Sequence, residues 1–197
     1  MCIVMLVAAN NGKETSVFMG SDNHVIKFKD NPDEIKDYID LISREKEVYD
    51  VGSKIIMLNS HAALCYGSTE GKRHRHMLLY EIAETEYSDN PEVLTQDVIG
   101  LSGFLYTKGK AYCIKNGKYE EVRIDPPKGE YFVYVETMPF CKELVGKIFN
   151  EFAPKTPNAQ TCIYNTIKKL NIMTNGLIGS VPHIVKFNEK GEYQCIL

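Results

Sequence analysis

Cys2 stands directly behind Met1, at the head of the apolar run Met1-Cys2-Ile3-Val4-Met5-Leu6-Val7-Ala8-Ala9-Asn10. A small residue at position two is the usual requirement for removal of an initiator methionine. With Met1 removed, the chain opens on a residue that carries both a thiol and an α-amine. The amine has an ordinary pKa of about 7.7–8.0 and the thiol one of about 8.5. An amine poised near neutrality beside a thiol is a nucleophile with its own general base. The chemistry that follows is nucleophilic attack by the thiol, with the amine taking its proton. The structural alternative is a small buried hydrophobe, the commonest role of a reduced cysteine.

Composition narrows the setting. The chain has 197 residues, 44% hydrophobic and 25% charged, with a net charge of −3. That length predicts a single domain over 1–197, able to bury about 70% of its unfolded surface. The charge balance gives no basic field for nucleic acid. The longest charge-poor run, residues 1–11, is too short to span a bilayer and carries no basic leader or cleavage site. The expectation is a cytoplasmic protein without a membrane partner. Six cysteines (2, 65, 113, 141, 162 and 195) are scattered without a CxxC pair. They are expected as reduced thiols, with no zinc site and no cofactor. The one dense basic patch, Lys72-Arg73-His74-Arg75-His76, opens a helical pattern. His74 and His76 are two apart and point to different faces, so a solvated face is expected rather than a metal site.

The elements that must position Cys2 are legible from periodicity. Residues 2–9 predict a buried strand, closed by the turn Asn10-Asn11-Gly12-Lys13 and returned by Ser16 to Asp22, with Gly20 a close approach or bulge. The charged stretch 29–50 predicts a helix over Asp33–Ile42, started by Asn31-Pro32, with Ile35, Tyr38, Ile39 and Ile42 on its apolar face. Lys54–Leu58 and His61–Tyr66 predict paired strands, the second broken by Gly67-Ser68-Thr69. A helix is expected over about Glu70–Glu86 and a shorter one from Asn90-Pro91 to Val98. Further strands are expected over 102–107, 111–114, 119–124 and 131–135. Helices over 140–152 and 158–170 follow, then a hairpin of 181–187 with 193–197. Tight turns between strands argue for antiparallel sheets, and helices grouped between strand groups argue for layers.

This order of elements resembles the proteasome-like branch of the N-terminal nucleophile (Ntn) hydrolases, over nearly the whole chain. The resemblance implies an α+β fold, a four-layer αββα sandwich of two antiparallel sheets. It also implies roles. Cys2 is the nucleophile, its own α-amine taking the proton directly or through water. Lys54 holds positive charge near amine and thiol and lowers their pKa values. Asp22 pairs with Lys54 and orients it. The Gly67 N–H stabilises the tetrahedral oxyanion, an interaction of about 3 kcal/mol where such donors have been removed. The family usually opens with threonine, although its glutamine amidotransferase relatives use cysteine. The Gly-Ser-Gly turn expected before the penultimate helix is replaced by Glu136-Thr137-Met138-Pro139.

The implied activity is an N-terminal cysteine amidohydrolase or peptidase acting on a small-molecule or peptide amide, with homo-oligomers common in the family. Two alternatives stand beside it. A proteasome-like fold with an unprocessed N-terminus serves as a non-catalytic scaffold or assembly protein. His61, Glu81 and Cys162 form a second set, whose order resembles permuted papain-like cysteine amidases. There Thr161-Cys162-Ile163 places a thiol at a helix N-terminus, where the dipole lowers its pKa.

Overall fold

In the computed structural model, which describes residues 3–29, 35–59, 61–68, 89–97, 101–137, 139–155, 158–188 and 190–195, the opening apolar run is β1 (Val4–Asn10). It pairs antiparallel with β2 (Thr15–Ser21) on one side and β10 (Tyr131–Glu136) on the other. The hairpin turn is held by the Asn10 side chain, which accepts from the Gly12 N–H at 2.9 Å. With β11 (His183–Phe187) and β12 (Tyr193–Cys195), these strands make a first sheet in the order β10-β1-β2-β11-β12. β1 is central and covered on both faces, which explains an unbroken apolar run in place of alternation.

The second sheet has the order β5-β6-β7-β8-β9. Its strands are Ile55–Asn59, Ala62–Ser68, Ser102–Thr107, Lys110–Lys115 and Lys118–Val122. Between the sheets lie Val4, Leu6, Ala8, Val17 and Met19 against Ile55, Ala63, Cys65, Phe104 and Tyr106. On its other face the first sheet turns Ile3, Met5, Val7 and Phe18 toward two helices. Counting helices along the chain after α1 (Tyr38–Ser43) and α2 (Pro91–Asp97), these are α3 (Pro139–Phe152) and α4 (Ala159–Met173). Fully burying one such side chain, Phe149 for example, stabilises by about 1.5–3 kcal/mol. The far face of the second sheet carries Ile56, Leu64 and Leu105, covered by Leu94 of α2. The fold is thus mixed α/β with antiparallel sheets, helices lying outside them. Gly20 is the expected close approach: a Cβ there would come within 2.4 Å of Ile163 Cγ2 on α4.

Three local expectations change. The charged stretch after β2 forms a two-stranded sheet, β3 (His24–Phe28) with β4 (Lys46–Asp50), closed over a six-residue α1. Asp37 caps that helix by accepting from the Asp40 N–H at 2.9 Å, so the described helix starts at Tyr38 rather than Asp33. Ile35, now before the helix, is buried as expected, but within the helix Leu41 is the buried residue while Ile39 and Ile42 are exposed, so the apolar face differs from the expected one. β6 also continues through Gly67 to Ser68 instead of breaking there. The expected helix over 70–86, Glu81, the 72–76 basic cluster and the Asn31-Pro32 start lie outside the described residues. Among the described residues, no helix is long and apolar enough to cross a membrane.

Candidate active site

Asp22 follows the last residue of β2 and is fully buried. Both of its carboxylate oxygens are filled. Oδ1 accepts from the Ile3 N–H at 2.9 Å and from Lys54 Nζ. Oδ2 accepts from the His24 N–H at 3.1 Å and from the Gly179 N–H at 2.9 Å. Lys54 is itself fully buried, one residue before β5, with its carbonyl accepting from the Tyr66 N–H at 3.1 Å. A lysine heading an apolar strand is ordinarily a surface residue that snorkels to water. Here the side chain crosses from the second sheet to the first to reach Asp22. Burying two charges costs several kcal/mol per ion, so the pair persists only with good geometry and further donors on the carboxylate. The three backbone N–H groups supply those donors.

The Ile3 nitrogen belongs to the peptide bond that links Ile3 to Cys2. The backbone at Ile3 is therefore anchored by one hydrogen bond to the same carboxylate oxygen that holds the Lys54 ammonium. Cys2 itself lies outside the described residues. Gly67 sits at a break in register: Tyr66 pairs with Gly103 and Ser68 with Ser102, which leaves Gly67 as the extra residue of a β-bulge. Bulges of this kind re-aim backbone groups next to active sites. Lys54, Gly67 and the starts of β1 and β7 all lie at one end of the facing sheets.

Sequence reasoning missed the loop after α4. Gly179 gives its N–H to Asp22, and Val181 gives its N–H to Asn23 Oδ1 at 3.2 Å. His24 Nδ1 lies 3.1 Å from the Gly176 carbonyl oxygen. Three successive residues, Asp22 to His24, thus seat this loop. Asn23 also donates to Asp50 at 2.9 Å, tying the β3–β4 sheet to the same place. The Gly52 N–H and then the Asn23 amide hold the Asp50 carboxyl below the usual range. A Cβ on Gly179 would fall 1.9 Å from Asn23 Oδ1 and 2.8 Å from the Asn23 nitrogen. Gly179→Ala is expected to cost about 3 kcal/mol through overpacking, read as a lower denaturant midpoint. An unchanged midpoint would show that the loop does not sit there.

The second set of candidates is not brought together. Cys162 is fully buried on α4, on the helix side of the first sheet. His61 is exposed beside the start of β6 in the second sheet, its Nδ1 3.3 Å from the Gly191 carbonyl oxygen. The first sheet lies between them, so the pair cannot act on one substrate. Burial raises the Cys162 thiol, the opposite of activation by a helix dipole.

Cys65, Cys113, Cys141 and Cys162 are reduced thiols. Burial pushes the Cys65 thiol far up, with nearby Lys54 pulling the other way. Burial likewise lifts Cys141 to about 11. These thiols stay protonated at neutral pH and are shielded. An alkylating reagent is therefore expected to leave Cys65, Cys141 and Cys162 unmodified until denaturant is added, as read by peptide mapping. Fast alkylation of Cys65 in the native protein would contradict this packing. Among the described residues no cluster of His, Cys, Asp or Glu is arranged to hold a metal ion.

No protein-family model matches the chain, and no curated protein matches it in sequence. Among solved structures, the crystal structure of eukaryotic HslV from Trypanosoma brucei is similar, with a TM-score of 0.54 at 10% sequence identity. The likeness covers 93% of this chain and 99% of that one. At such identity it is a likeness of fold, and the fold is one found among proteasome-like Ntn hydrolases.

Proposed function

We propose that this chain is an Ntn-type amide hydrolase whose nucleophile is Cys2, exposed by removal of Met1. One observation carries the reading: the Ile3 N–H and the Lys54 ammonium share one oxygen of a fully buried Asp22. In this reading the Lys54 ammonium, held beside the Cys2–Ile3 peptide bond, lowers the pKa of the Cys2 thiol and α-amine. In this reading the 197 residues form one domain, a four-layer αββα sandwich, and the protein is a cytoplasmic homo-oligomer. Cys2 Sγ attacks the carbonyl carbon of an amide and forms a tetrahedral oxyanion. The α-amine of Cys2 takes the thiol proton and passes it to the leaving amine. The Gly67 N–H at the β6 bulge holds the oxyanion. Water then cleaves the thioester, with the same amine as base, and restores the thiol.

The test is the reaction of the native protein with a cyanobenzothiazole, which condenses with a thiol and an amine on one residue. Stoichiometric labelling at Cys2, lost in Cys2→Ser, is the expected result. No labelling would leave the scaffold reading in its place.

A further inference from the structure

The end of β10 carries a second buried carboxylate close to the chain start. Glu136 is directly opposite Val4 on β1, and Val4 is in turn opposite Ser21 on β2. Position 2 is two residues before Val4 in the chain, a reach of at most roughly 7 Å. Glu136 is only 5% exposed, and each of its oxygens accepts from a different lysine. Lys115 Nζ, from the end of β8 in the second sheet, is 2.9 Å from Oε1. Lys142 Nζ, from the first turn of α3, is 2.8 Å from Oε2. The two lysine side chains keep 44% and 38% of their exposure. Each ammonium has three N–H groups and gives one to Glu136. The hydrogen bond to Glu136 raises the Lys115 pKa, so it stays charged through neutral pH.

Two cations on one carboxylate leave a single net positive charge at the rim between the sheets. At the same end of the first sheet, the hydroxyls of Ser21, across β1 from Glu136, and of Thr137, the residue after it, are buried with no hydrogen-bond partner among the described residues. Buried hydroxyls are almost always paired, so these two leave hydrogen-bonding capacity at this end of the sheet that a polar ligand can take. A net charge of +1 matches a monoanion and underbalances a phosphate dianion. We propose that Lys115 and Lys142 bind a substrate carboxylate, so that the amide cleaved at Cys2 belongs to a molecule with a free carboxyl group near the scissile bond. The substrate part of this proposal rests on the hydrolase reading; the binding site does not.

The test is a titration of the full chain followed by lysine side-chain NMR, with N-acetylglycine as monoanionic probe and N-acetylglycinamide as its neutral counterpart. N-acetylglycine is expected to shift the Lys115 and Lys142 signals saturably, and the amide is not. Lys142→Gln should weaken the binding about tenfold, the loss of one charge-assisted hydrogen bond. Glu136→Gln should tighten it by a similar factor, because the competing carboxylate is gone. A clamp that merely pins α3 to the second sheet predicts no saturable response in any variant, and that result overturns the proposal. Tighter binding of inorganic phosphate than of N-acetylglycine would overturn the choice of carboxylate. Cyanobenzothiazole labelling separates the two readings. Labelled Cys2 without carboxylate binding sinks the clamp alone, and carboxylate binding without labelling sinks the hydrolase alone.

Discussion

Cys2→Ala is expected to abolish amide hydrolysis while leaving the fold intact. Removing a nucleophile that acts as a unit with its base costs on the order of a millionfold in turnover where this has been measured. The position should carry little stability. Packing of β1 is secured by Ile3, Val4, Met5, Leu6 and Val7, all fully buried, and by ladders to β2 and β10. The anchor to Asp22 is a backbone N–H and survives any side-chain change at position 2. Turnover of a fluorogenic amide together with a denaturant melt checks both halves. Activity within tenfold of wild type would move the nucleophile elsewhere. Cys2→Ser keeps a hydroxyl and should retain measurable turnover, which separates lost nucleophilicity from lost packing.

Lys54→Met is expected to damage both activity and stability, because the lysine has two tasks in one place. Its side chain is fully buried against Asp22, so its removal leaves an uncompensated carboxylate between the sheets. Breaking one partner of a buried pair costs about 3–5 kcal/mol, or roughly 10 °C in Tm for a chain of this length. Loss of the cation that tunes thiol and amine should lower turnover about a hundredfold or more. Lys54→Arg is not a rescue, since a planar guanidinium does not fit the space of a fully buried ammonium. Asp22→Asn fails for a related reason. Its amide offers one acceptor oxygen, while three backbone N–H groups and the Lys54 ammonium now share two. The two changes combined should cost less than their sum, because the stranded charge is removed. Strict additivity in a double-mutant cycle would mean that the pair is not coupled.

Much of this architecture was readable in the sequence, for physical reasons. Strands such as 4–10 and 102–107 are long, apolar and bounded by Asn-Gly or Lys-Gly turns, and the paired helices repeat apolar residues at helical spacing. The β3–β4 sheet was not readable. Its strands carry His24, Lys27, Lys46, Glu47 and Asp50, so local charge outweighed the short alternation Val25-Ile26-Phe28. The α1 face was misread because the Asp37 cap shortens the described helix to six residues, too few for apolar spacing to choose between the Ile39–Ile42 side and Leu41. For the site, element order put Asp22 and Lys54 forward, while their residue types alone suggested a turn and a surface lysine. The Gly179 donor was invisible, since it meets Asp22 across 157 positions of chain. Glu136 reads as an ordinary polar strand end until Lys115 and Lys142 are seen converging on it.

The central claim is that the working protein begins at Cys2. Intact mass spectrometry of the native protein, isolated without a terminal tag, tests it most directly. The expected result is a mass lower than that of the full sequence by one methionine residue, with the new terminus at Cys2. A single species still carrying Met1, in protein that hydrolyses amides, would contradict it.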